Sequence, residues 1–123
     1  MTRKQREKAK DAVAVGRIVV GSGAWLTPNL SGRLFGLDPE GNPQLSYIGR
    51  LFGARDVMLG AGVLRSSRKQ KDAWVQAGFA CDVADVAAGA LAGARGTLPP
   101  AAAALVTATA AGFAAFGYWL LQQ

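Results

Sequence analysis

Histidine is absent from this chain and cysteine occurs once, as Cys81. A disulfide within the chain is therefore impossible, and histidine metal ligation is excluded. Acids are scarce, with 8 Asp and Glu against 14 Lys and Arg. From Gly96 to Gln123 there is no charged residue at all. Catalytic patterns are missing too. No Gly-rich loop of the Walker type is present, and Ser22, Ser66 and Ser67 have no histidine to activate them. Asp82 and Asp85 lie one helical turn apart and do not flank a substrate as glycosidase carboxylates do. Gly16, Gly21 and Gly23 have the wrong spacing for a dinucleotide fingerprint. The chain reads as a non-enzyme with no cofactor and no metal.

What is present is alternation. At 123 residues the chain is a single domain, residues 1–123, with a mean hydropathy of +0.17. That average is modest because Ala and Gly supply much of the apolar content and a basic tail dilutes it. Four apolar stretches predict helices over about 11–27, 45–65, 73–94 and 100–121. Residues 1–10 precede them as a basic, solvated tail. The last stretch offers only Thr107 and Thr109 before Tyr118, so it lacks the polar face a soluble surface helix needs. The expected fold is all-α: a four-transmembrane-helix bundle with a short interfacial segment between helices 1 and 2. Proline at 28 stops the first helix, and Pro99-Pro100 opens the last. Between Asn29 and Ser46, Gly32, Gly36, Pro39, Gly41 and Pro43 prevent a span, while Leu30, Leu34, Phe35 and Leu37 give an apolar face at the outer surface.

Charge placement predicts orientation. Arg3, Lys4, Arg6, Lys8 and Lys10 precede the first helix, and Arg65, Arg68, Lys69 and Lys71 separate the second from the third. The alternate connections hold only Arg33 and Arg95, with Arg50 near a helix start. Basic residues collect in cytoplasmic loops, so both termini are expected on the cytoplasmic side of the membrane. Trp25 and Tyr47 fall at outer helix ends, and Trp74, Tyr118 and Trp119 at inner ones, as an aromatic belt requires. A basic run ahead of an apolar one also resembles a signal peptide, but Arg17 interrupts it and no cleavage site follows Trp25. Neither basic block interleaves aromatics for base stacking, so nucleic acid is not an expected partner. The lipid bilayer is, with other membrane proteins or a second copy as further options.

The charges inside the apolar stretches are the candidate site. Arg17, Arg55, Asp56, Asp82 and Asp85 fall near the midpoints of the first three helices. An ionisable side chain in hydrocarbon is costly unless paired or wetted, which makes each a candidate for function. On helix 3, Gly78, Asp82, Asp85 and Gly89 share one face; on helix 2, Gly49, Gly53, Asp56 and Gly60 do the same. Gly53, Gly60, Gly78 and Gly89 are thus expected helix-packing glycines, bringing helices 2 and 3 together acid face to acid face. Arg55 is expected to pair with Asp82 or Asp85. Two arginines against three aspartates leave one acid without a partner, and that acid, with Asp85 the first choice, is expected to keep a proton. Such a cluster serves either to fix helix register or to move a proton or bind a headgroup. On the last helix Ala104, Ala108, Ala111 and Ala115 form a flat stripe, for another helix or for internal packing. Cys81 is expected to be small, buried and inert.

The run Gly49-Arg50-Leu51-Phe52-Gly53-Ala54-Arg55-Asp56, then Leu59-Gly60 and Cys81-Asp82-Val83-Ala84-Asp85, resembles small four-helix bacterial integral membrane proteins of unknown function, loosely DoxX-like. The resemblance covers roughly residues 14–95 and implies the four-helix membrane architecture. It implies no activity or ligand. The pentapeptide Gly-Arg-Leu-Phe-Gly also occurs twice, at 32–36 and 49–53, which is either an internal repeat or chance among 16 glycines.

Overall fold

A computed structural model of the chain describes residues 1–123. It is all-α, with five helices in the order α1 (Arg3–Leu26), α2 (Pro28–Leu34), α3 (Leu45–Arg65), α4 (Arg68–Arg95) and α5 (Pro100–Gln122). The second, third and fourth helices expected from sequence are α3, α4 and α5. Two helices, α4 and α5, are long and apolar enough to cross a membrane.

The basic tail is not a separate segment. Thr2 caps α1 through a capping box with Gln5, so the helix begins at Arg3 and runs 24 residues. Charged side chains do not interrupt a helix, and those of residues 3–10 simply continue the helical path of the apolar run. For the same reason α4 starts at Arg68, before the expected boundary near 73. Its far end is set by Gly96, whose φ of 71° closes the last turn on the Ala92 and Gly93 carbonyls. Pro28 ends α1 and starts the seven-residue α2, about two turns long, whose Leu30 and Leu34 are exposed. The two Gly-Arg-Leu-Phe-Gly copies differ in structure. One finishes α2 and turns at Gly36 with φ 80°, whereas the other lies inside α3.

The helices form a ring. α1 packs along α3, α4 packs along α5, α3 meets α4 over a shorter stretch, and α1 touches α5 lightly. The expected pairing of α3 with α4 through glycines is therefore corrected. A Cβ on Gly60 would lie 2.5 Å from the Ala14 carbonyl oxygen, and one on Gly53 would overlap the Gly21 carbonyl, both on α1. Gly78 instead lies against the Arg17 guanidinium, 2.9 Å from Nη2 for an added Cβ, and Gly89 lies against Thr107 of α5. All four glycines are buried at helix contacts, as expected, but none joins α3 to α4. Where α3 does meet α4, Trp74 lies over Gly62.

The interior is made of small residues, chiefly Ala14, Ala24, Ala102, Ala103, Ala110 and Ala114, with Leu59, Val63 and Leu120. Charged side chains are buried among them, while large apolar ones such as Val19, Leu26, Leu51, Met58, Leu91 and Phe116 face outward. The buried charges are the unusual feature, since Arg and Asp are almost never fully buried unless paired. The Ala104, Ala108, Ala111 and Ala115 stripe is exposed, so it does not pack internally.

Candidate functional site

All five candidate charges meet in one cluster between α1, α3 and α4. Arg17 projects from α1, where its neighbours Ala14 and Gly21 are small enough to let α3 approach closely. Its Nη1 donates to Asp82 Oδ1 at 3.0 Å, and Nη2 donates to Asp82 Oδ2. Arg55 makes the same two-pronged contact with Asp85, Nη1 to Oδ1 at 3.0 Å and Nη2 to Oδ2 at 2.6 Å. A planar guanidinium matched to both oxygens of a carboxylate is the strongest common form of this pair. Arg17 and Arg55 each also sit over an aromatic ring, Phe113 of α5 at 5.1 Å and Phe52 of α3 at 4.9 Å.

Asp56 stands between the two pairs. Its Oδ1 is 3.7 Å from Arg17 Nη1 and 3.7 Å from Arg55 Nη2. That oxygen is buried and accepts no hydrogen bond. Asp85, expected from sequence as the acid left over, is fully paired, and Asp56 occupies that position instead. Spacing along one helix could not reveal this, because the two acids of α4 receive their arginines from two different helices.

Burial divides the cluster. Arg17, Asp56 and Asp82 are closed off, at 7%, 5% and 3% exposure. The Arg55 and Asp85 side chains remain 33% and 30% exposed. Toward the end of the bundle that carries both termini, a cavity of about 20 Å³ lies between Lys10, Arg17, Trp74 and Leu120. That is room for roughly one water. Cys81, expected to be buried, is a half-buried free thiol on α4.

A second ionic group went unread in the sequence. Lys10 donates to Asp72 at 2.6 Å and Glu7 at 3.2 Å, and Lys71 donates to Asp11 at 2.8 Å, joining the start of α1 to the start of α4. Burial opposes the Lys10 charge, but its hydrogen bonds to Asp72 and Glu7 outweigh that and hold its pKa above the ordinary lysine value. The signal available was the pair Glu7 and Asp11, set among basic residues opposite a Lys-Asp dipeptide. On α2's side of the molecule, Arg33 and Glu40 pair on the surface, which keeps the Glu40 carboxyl below its usual range.

Comparison with known protein families, curated proteins and solved structures finds no match to this chain.

Proposed function

We propose that this chain is a non-enzymatic, four-span membrane protein acting as an accessory or scaffolding subunit, with the Arg17/Arg55/Asp56/Asp82/Asp85 cluster as its internal clasp. In this reading α1, α3, α4 and α5 cross the bacterial inner membrane, α2 rests at the outer surface, and both termini are cytoplasmic. The similarity to small four-helix, loosely DoxX-like membrane proteins belongs to the same proposal. α3, with 21 residues, is about 31 Å long, enough for a hydrocarbon core of about 30 Å. Outward-facing large apolar side chains around a charged interior support the placement in lipid.

The observation that carries the structural role is closure. Each arginine is bound at two points by its own aspartate, and the cavity that reaches Arg17 beside Lys10 and Trp74 holds about 20 Å³. A substrate does not fit there. The clasp joins α1 and α3 to α4, which otherwise meet over little surface.

The second reading is a proton-linked carrier or amphiphile binder using the same five residues. Two observations favour it: the odd acid Asp56, and an open apolar groove of about 300 Å³ between α1 and α5, lined by Phe113, over which Arg17 sits. Reconstitution in vesicles with an internal pH dye tests both. The clasp gives no proton flux above empty vesicles, whereas a flux abolished by Asp56→Asn selects the carrier.

A further inference from the structure

The Arg55–Asp85 pair is the one member of the cluster that the chain does not cover. Its two side chains are each about one-third exposed, on the seam between α3 and α4. Resting on the four-span reading above, this seam lies at mid-depth and faces hydrocarbon in an isolated chain. A charged pair there is costly unless protein or water covers it. Water finds little to hold it, since the exposed neighbours on the same faces are Ile48, Leu51 and Met58 of α3 and Ala88 of α4.

We propose that the Arg55–Asp85 side of the α3–α4 seam is the contact face for a second copy of this chain. The argument is charge complementarity. One face carries a positive group on α3 and, beside it on the neighbouring helix, a negative group on α4. A two-fold axis along the membrane normal turns such a face onto itself so that each Arg55 meets the other copy's Asp85. Two-fold interfaces bring a patch against its own copy, so a side-by-side plus and minus is self-complementary. Four alternating charges then close in a protein-lined, lipid-free centre. Ala88, small and exposed one turn from Asp85, leaves room for the second backbone to approach. Arg55 thereby serves twice, holding Asp85 within its own chain and facing Asp85 across the interface.

The test uses purified protein in lipid vesicles, with Cys81→Ser as background. Ala88→Cys is expected to yield a disulfide-linked dimer on oxidation, and Ala115→Cys, exposed on α5, is expected to yield none. A monomer at Ala88→Cys, or a dimer formed only through Ala115→Cys, overturns the proposal. Paired replacement Arg55→Leu with Asp85→Leu, its helicity checked by circular dichroism, is expected to weaken self-association about tenfold or more, a loss of about 1.4 kcal/mol or more. The exchange Arg55→Asp with Asp85→Arg restores it. Undiminished association of the double-Leu variant overturns the proposal. A membrane-impermeant thiol reagent separates the two levels of failure. Ready labelling of Ala88→Cys in intact vesicles removes the four-span reading and the interface with it. A shielded Ala88→Cys that never cross-links removes the interface alone.

Discussion

Arg17 on α1 grips Asp82 on α4 with Nη1 and Nη2 of its guanidinium, although the residues are 65 apart in sequence and their helices share almost no backbone approach of their own. The contact reaches across the centre of the bundle. Breaking a buried pair by removing one partner leaves the other charged in low dielectric. Arg17→Ala is therefore expected to destabilise the protein by roughly 3–5 kcal/mol, and Arg68→Ala on the surface by less than about 1 kcal/mol. Arg55→Ala should fall between them, because its side chain is one-third exposed. Denaturation in detergent, followed by circular dichroism, gives all three values.

The aspartates separate in the same assay. Asp56 accepts no hydrogen bond at Oδ1 and faces two arginines that are already engaged. Asp56→Asn removes the unmatched carboxylate and should fold as well as the parent. Asp82→Asn and Asp85→Asn each take half of a two-pronged pair away and should lower stability by at least about 1.5 kcal/mol. Equal tolerance of all three changes would mean that the acids do not share one enclosed site.

Glycine substitutions report the helix pairing. Gly60→Leu drives its side chain into the Ala14 backbone and Ile18 of α1, and should impair folding. A Cβ added at Gly112 meets nothing within 4 Å, so Gly112→Leu should cost far less than Gly60→Leu. Val63 on the same helix is 5% exposed, so Val63→Leu is no suitable control. Yield of folded protein from membranes distinguishes the variants.

The ionic group at the starts of α1 and α4 has its own pH signature. Lys10 has a raised pKa in the folded chain, through Asp72 and Glu7. Its contribution is complete below the unfolded lysine value of about 10.4 and is lost as pH rises through the folded value. Melting temperature should therefore hold through neutral pH and fall in the alkaline range. Lys10→Met should be less stable at neutral pH and should lose that part of the alkaline decline.

Orientation is checked by reporter fusions at Lys69 and Asn42. Lys69 should report from the cytoplasm and Asn42 from outside, following the basic residues at both ends of the inner loops.

Much of this arrangement is legible in the sequence. Leu45 to Arg65 and the start at Pro100 emerge from breakers and caps, which act locally. The five charges were found because charge at the middle of an apolar run is conspicuous in any window. Partner choice was not legible. Gly53 and Gly60 announce a close contact without saying whether α1 or α4 makes it, since that depends on how the whole ring closes. Gly21 on α1 lies four residues past Arg17, the same spacing as the other packing glycines, and it is the partner that Gly53 meets. The Lys10–Asp72 contact was hidden for a further reason: a charge run beside a helix reads as solvated until a second helix end is placed next to it.

The most direct test of the clasp is a double-mutant cycle between Arg17→Met and Asp82→Leu. Arg17→Met strands the Asp82 carboxylate and Asp82→Leu leaves Arg17 only the more distant Asp56 at 3.7 Å, whereas the pair replaces both charges with apolar groups of similar size. The account expects the double variant to be more stable than either single one, with a coupling energy of about 2 kcal/mol or more. Additive losses, with the double variant the least stable of the three, would contradict it.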